Sequence, residues 1–382
     1  MSEPIIIVGA GLAGYNVARE LRKLDRATPL VLIARDDAHF YSKPMLSNAL
    51  AGGKAPAALV MKSCESMAEE LNATILAQTE VQAIEASARR LILADGRALG
   101  YRDLVLALGA DPVRPLLAGE HGAVLAVNDL SDYAHFLARL PGQGVVVILG
   151  AGLIGCEFAN DLVARGLTPV LVDPAAWPLA RLLPQEAGRW MQDRLQQHGV
   201  SFHLGRHATQ VDCSGPGYRV TLDDGTLVDG ALVLSAIGLG PRVSLARAAG
   251  LTVARGIVTG ADLRTSDPHI WAVGDCVEAA GFNLPFVMPL MQQARSLAAT
   301  LAGQPMSLRY PAMPIVVKTP ACPTVIAPPL TCPAGAWQVD AGAAGLTARW
   351  ETPEGVLGGF VLMGDAVRQR QTLSAQLGNW LA

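Results

Sequence analysis

Residues 5–14 read IIIVGAGLAG, and this stretch decides the fold. Ile5–Val8 is a run of four β-branched apolar residues, which suits a strand buried on both faces. Gly9, Gly11 and Gly14 then fit G-x-G-x-x-G. The segment from Tyr15 to Leu21 is compatible with a helix, and Leu30–Ala34 reads as a second strand. Strand, glycine turn, helix and strand in that order make a βαβ unit for a dinucleotide. Gly9 permits the tight turn, Gly11 lets the backbone approach a pyrophosphate, and Gly14 lets helix and strand pack closely. The N–H groups and dipole at the helix start favour an anion. Gly9, Gly11, Leu12, Ala13 and Gly14 are therefore the expected phosphate turn. The carboxylate for the ribose is expected at Asp36, one place later than usual, with Arg35 in the usual position. Either Asp36 or backbone groups would grip that ribose; a solvated turn is the plain alternative.

The pattern returns at residues 145–155, VVVILGAGLIG. Gly150, Gly152, Ile154 and Gly155 form the second turn, Cys156–Arg165 is helix-compatible, and Thr168–Val172 is the following strand. Asp173 ends that strand where ribose recognition needs a carboxylate. It accepts hydrogen bonds from ribose hydroxyls and repels a 2′-phosphate, which favours NAD over NADP. Arg181 lies nearby in sequence and blurs that preference. Two such units about 140 residues apart point to two dinucleotide sites on one chain. One suits a tightly held flavin dinucleotide and the other an exchangeable nicotinamide.

Composition agrees with a globular enzyme. The 382 residues allow two or three domains, and 51% hydrophobic content supplies ample core. A net charge of −3 argues against a nucleic-acid binder. The six cysteines make no C-x-x-C and the seven histidines are scattered along the chain, so no metal site is expected. The sequence starts without a basic, cleavable leader, and its apolar runs are strand-sized. No membrane span is expected, and a cytoplasmic location is the default.

Further segments carry a family resemblance. Tyr101–Pro115, YRDLVLALGADPVRP, and Leu234–Pro241, LSAIGLGP, resemble the two interdomain crossings of the pyridine nucleotide-disulfide oxidoreductase superfamily. Arg264–Asp275, RTSDPHIWAVGD, resembles its second flavin fingerprint. YSKPMLS at 41–47, VMPL at 287–290 and VKTPACP at 317–323 resemble its ferredoxin and rubredoxin reductase branch, essentially end to end. The resemblance implies resident FAD and NADH as substrate. It implies hydride transfer from NADH to FAD, then single-electron transfers to a rubredoxin, with alkane hydroxylation downstream. A flavorubredoxin or ferredoxin partner, or a redox-responsive flavoprotein module, are the alternatives. An oxidase fits less well, because the reactive cysteine of that branch is missing.

On the FAD side the resemblance implies roles for Lys43, Val81, Gly109, Glu157, Asp275, Val287 and Lys318, beside Arg35 and Asp36. Asp275 is expected at the ribityl chain, Val81 at the adenine, and Val287 and Lys318 at the pyrimidine ring. Glu157, Lys43 and Lys318 are the expected catalytic residues. Many ferredoxin reductases carry a lysine where this chain has Asn48, so Lys43 is expected to be the cationic partner of Glu157. Cys156 and Cys276 are expected to be packing residues, and Cys322 to lie closer to the site. Arg295, Arg368 and Arg370, with Lys43 and Lys318, are candidates for a basic rim facing an acidic partner.

The expected fold is α/β: two Rossmann-like dinucleotide-binding domains, one for FAD and one for NAD, plus a smaller α+β C-terminal domain. The FAD domain is expected at 1–110 and 238–308, the NAD domain at 111–237, and the C-terminal domain at 309–382. The last begins with a proline-dense stretch that includes Pro333. Antiparallel strands are expected at Trp337–Val339, Leu346–Glu351 and Val356–Met363, and a helix at 365–381.

Overall fold

The computed structural model describes residues 3–332 and 334–382; Met1, Ser2 and Pro333 lie outside the described residues. Two five-stranded parallel sheets share the order of four strands and differ in the fifth, an edge strand that comes last in the chain in the first sheet and first in the second. In the first, the order is Ile270–Ala272, Asp103–Leu106, Ile5–Val8, Leu30–Ile33, Thr74–Leu76. In the second it is Val124–Leu125, Leu232–Ser235, Val145–Leu149, Thr168–Asp173, Ser201–Leu204. All pairings in both are parallel. Each glycine-bearing strand is therefore central, where unbroken apolar sequence is stable. Ile5, Ile6 and Ile7 are fully buried, each contributing about 1.5–3 kcal/mol.

Each central strand runs into a helix: α1 (Leu12–Leu24) in the first sheet and α2 (Leu153–Ala164) in the second. The chain crosses between the two sheets twice. The crossings pair antiparallel, Ala110–Pro112 against Leu239–Pro241. Arg242 pins them, donating to Asp111 Oδ1 at 2.7 Å and to the Leu108 carbonyl at 2.8 Å.

The third sheet is antiparallel, ordered Ile315–Val317, Thr324–Ala327, Leu357–Gly364, Gly345–Glu351, Ala336–Ala341. Its apolar face merges with the second unit. Val317, Cys322, Ile326, Val361 and Met363 share a core with Leu46, Leu50, Cys156, Phe158 and Met191. Three segments far apart in sequence thus meet in one hydrophobic layer.

The expected helix at 365–381 is not continuous. A 3₁₀ turn, Asp365–Gln369, leads into a short helix, Arg370–Ser374. The chain then extends past Gly378 so that Trp380 can bury in the first unit's core, its backbone N–H donating to the Tyr310 carbonyl at 2.7 Å. Burial of one indole, about 150–250 Å² of surface, outweighs further helical turns through a glycine.

Candidate active site

The two glycine turns are built alike. Gly9 and Gly150 have φ of +114° and +106°, a region in which only glycine is unstrained. A Cβ on Gly14 would lie 1.9 Å from the Gly9 carbonyl oxygen, and on Gly155 2.0 Å from that of Gly150. Gly11 and Gly152 face open space instead. Helices α1 and α2 begin there with no side-chain cap and no acidic residue in the first turn. Elsewhere in the molecule, helix Cys64–Leu71 is capped by Ser63 and helix Leu130–Arg139 by Asp129. Uncapped N–H groups beside open space fit a pyrophosphate at each turn. Leu12, Ala13 and Ile154 lie in these first turns. Helix α3 (Val287–Leu301) is also uncapped, at Val287.

Register aligns the units residue by residue. Gly9 N donates to the Ile33 carbonyl and Gly150 N to that of Val172, both at 2.8 Å. Ala34 is therefore the counterpart of Asp173, and Arg35 stands one place further on. This corrects the expectation that Arg35 holds the acidic position. Asp36 accepts from Ala38 N at 3.0 Å and so closes its own turn. Asp173 accepts from Ala151 N and Ala175 N, each at 2.7 Å. A carboxylate has about four acceptor sites, so Asp173 ties the glycine turn down and still has sites for a ribose.

Near the first turn, Gly109 has φ +72° and Gly274 φ +79°. A Cβ on Gly274 would lie 2.7 Å from that of Ala13, so Asp275 follows a residue packed against the phosphate turn. Gly274 N is held by Gln293 Oε1 at 2.7 Å. Val81 opens a strand paired with Arg90–Leu93.

The charged centre departs from expectation. Glu157, 5% exposed, pairs with Lys318 and not with Lys43. Lys318 Nζ lies 2.7 Å from Glu157 Oε2 and donates to Ser47 Oγ at 2.8 Å and to the Pro44 carbonyl. Its three ammonium protons are then all used. Ser47 Oγ donates to Glu157 Oε2 at 2.5 Å, and the Lys318 backbone N–H donates to Oε1 at 3.0 Å. Lys43–Asn48 is a 3₁₀ helix, and its Pro44 carbonyl and Ser47 hydroxyl both meet Lys318, which occupies the place beside Glu157. Burial pushes the Lys43 ammonium below its usual range, and the Asp275 carboxylate opposes that shift. Burial likewise pushes Asp275 up, opposed by Lys43. Lys43 thus lies in the field of Asp275, without a contact ion pair between them.

Sequence reasoning missed Ser47, Asn160 and Asp161. Asn160 Oδ1 accepts from Ala321 N and Asp161 Oδ2 from Ala51 N, each at 3.0 Å. Glu157, Asn160 and Asp161 are polar interruptions in LIGCEFANDLVA, an otherwise mostly apolar helix, and all three are buried. That pattern was the available signal, since buried polar groups carry partners. Cys156, Cys276 and Cys322 are fully buried, and burial raises all three thiols, the latter two to about 11. Arg295 and Arg370 are exposed. Arg368 is also exposed but pairs with Asp365 at 3.3 Å. Lys43 and Lys318 are half-buried and face carboxylates, so they do not belong to an exposed rim. Among the described residues no group of three or more His, Cys, Asp or Glu could hold a metal, and no helix is long and apolar enough to cross a membrane.

Twin open glycine turns, with an ion pair at the seam between their units, fit a two-nucleotide oxidoreductase. The chain belongs to the pyridine nucleotide-disulphide oxidoreductase family, whose model matches residues 3–298. Residues 307–377 match the rubredoxin binding C-terminal domain. The chain is 46% identical to the rubredoxin-NAD(+) reductase of Alcanivorax borkumensis, covering 98% of both chains. It is 40% identical to the nitric oxide reductase FlRd-NAD(+) reductase of Aeromonas hydrophila, covering 99% of this chain and 97% of that one. It superposes on the covalent putidaredoxin reductase–putidaredoxin complex with a TM-score of 0.89 at 27% identity, covering 99% of this chain and 94% of that one. Family membership implies FAD and NADH, and the two uncapped turns fit both.

Proposed function

We propose that this chain is an NADH-dependent rubredoxin reductase acting in the cytoplasm, where NADH is available, with alkane hydroxylation as the pathway it serves. FAD, held at the first glycine turn, would supply the chemistry that joins a two-electron hydride donor to a one-electron acceptor, and the protein would position it. One observation carries the reading. The segment that matches a rubredoxin binding domain reaches the seam between the two dinucleotide units through Lys318.

The domains follow as 1–110 with 238–308 for FAD, 111–237 for NAD, and 309–382 for the partner. Gly9, Gly11, Leu12, Ala13 and Gly14 hold the FAD pyrophosphate, with Arg35, Asp36 and Val81 toward the adenosine end and Gly109 at the crossing. Asp275 with Lys43 faces the ribityl chain, and Val287 offers a free backbone N–H to the ring. Gly150, Gly152, Ile154 and Gly155 hold the NADH pyrophosphate, and Asp173 the ribose. Glu157 and Lys318 sit at the junction of the two rings. With its protons committed, Lys318 acts there as a fixed charge rather than as a hydrogen-bond donor.

The test is an anaerobic NADH titration of the FAD-loaded protein, followed by rubredoxin, flavorubredoxin and ferredoxin as acceptors. Flavin bleaching followed by fastest turnover with rubredoxin is expected. A flavin that NADH does not bleach refutes the reductase reading. Faster turnover with flavorubredoxin transfers the assignment to that partner, the direction in which the 40% relative points. If Arg295, Arg368 and Arg370 form the docking rim, rubredoxin reduction slows with ionic strength while a small neutral acceptor is unaffected.

A further inference from the structure

We propose that Ser47 and Asn160 are positioning residues for the nicotinamide reaction, holding the Glu157–Lys318 pair in a single arrangement at the seam. The inference rests on the NADH chemistry proposed above. Lys318 carries its charge on a flexible four-carbon stem, and Glu157 has rotamers of its own. An ion pair alone leaves many geometries open. Ser47, 6% exposed, closes a triangle on it: its hydroxyl donates to Glu157 Oε2 at 2.5 Å and accepts from Lys318 Nζ at 2.8 Å.

Asn160 does the same for the backbone. Glu157 Oε1 accepts from Lys318 N, and three residues along α2, Asn160 Oδ1 accepts from Ala321 N, both at 3.0 Å. Residues three apart lie on one helix face, and the two donors are also three apart. The helix therefore grips the strand end at two points, and two points prevent the pivoting that one allows. Between them the turn is closed by Cys322 N on the Thr319 carbonyl at 2.9 Å and by Thr319 Oγ1 on the Cys322 carbonyl at 2.8 Å. Asn160 is 3% exposed. An apolar side chain there would spare the amide's desolvation but leave the Ala321 N–H without its acceptor, so the amide's contribution is that bond and the orientation it fixes.

The test is single-turnover flavin reduction by NADH in the FAD-loaded protein, with FAD content, melting temperature and NADH affinity measured on each variant. Ser47→Ala and Asn160→Leu are each expected to slow reduction at saturating NADH about tenfold, the loss of one bond to a charged group or its scaffold. NADH affinity should change less than about twofold, and Ser47→Thr should restore most of the rate. Introduced into a Glu157→Gln background, both changes should cost almost nothing more, because residues acting through one group are not additive. Unchanged rates, or equal slowing in the Glu157→Gln background, overturn the proposal. Should Ser47→Ala lose FAD, the Asn160→Leu cycle decides alone. A wild type that NADH cannot bleach overturns the function instead, so the two failures are distinguishable.

Discussion

Replacing Lys318 by methionine removes one ammonium and keeps the stem. Glu157 is then left as a buried carboxylate with two of its three donors, Ser47 Oγ and the residue-318 N–H. Breaking a buried ion pair from one side costs about 3–5 kcal/mol. The Lys318 side chain is 27% exposed, so water can reach the gap, and the remaining donors still solvate the charge. The expected loss is therefore about 2–3 kcal/mol, or about 30- to 150-fold in the folding equilibrium. Urea unfolding at a fixed excess of FAD measures it, with FAD affinity measured on both proteins so that the ligand's contribution to stability is subtracted. The double variant Lys318→Met, Glu157→Gln should recover most of the loss, because a neutral pair of similar shape carries no uncompensated charge. The same Lys318→Met protein should bind NADH and reduce its flavin more slowly. A single variant within about 0.5 kcal/mol of wild type refutes the reasoning. So does a double variant no more stable than the single.

The two kinds of glycine should fail in opposite ways. Gly14→Ala drives a Cβ into the Gly9 carbonyl and should yield little folded protein, whereas Gly11→Val meets open space and should fold but lose FAD, read as absorbance per mole of protein. Asp173→Ala should lower the NADH-over-NADPH ratio of kcat/KM and loosen the second glycine turn through Ala151 N. Burial raises the Asp161 carboxyl, so the native state binds its proton at a higher pH than the unfolded chain does. The sign follows: this group lowers stability as pH rises from the unfolded value through the folded one. Relative to wild type, Asp161→Asn should therefore gain stability as pH rises across that window, and unfolding midpoints measured as a function of pH check it.

Periodicity made much of the fold legible. The strand expected from VVVIL runs Val145–Leu149, and the two glycine turns sit where the spacing put them. The third sheet's alternation was readable to within a residue or two at most strand ends. What failed was decided by distant contacts. The helix at 365–381 broke because Trp380 has a place in a core built mainly from residues hundreds of positions earlier. The acidic position after Leu30–Ile33 was misplaced by one residue, because only the parallel register, not the sequence, equates Ala34 with Asp173. Lys43 was paired with Glu157 because both belonged to motifs. Lys318, which no local spacing connects to Glu157, takes that place instead.

The ion pair shows why such a site resists reading from sequence. Glu157 and Lys318 are 161 positions apart, and Ser47 is 110 from Glu157. No spacing rule connects them; the shared core does. Leu46 and Leu50 flank Ser47, Cys156 and Phe158 flank Glu157, and Val317 precedes Lys318, all within one apolar layer. Hydrophobic burial brings the three segments together, and the polar triangle then selects one register among the apolar contacts that would pack about equally well. Helix α2 carries both outcomes, because its first N–H groups open on the glycine turn proposed for the nucleotide and its next turns hold the pair. Any slip of α2 against the third sheet would move the phosphate site and the charge together. Since misplacement of reacting groups by 1 Å can cost about 100-fold in rate, the bonds that prevent that slip matter to the chemistry as much as to stability.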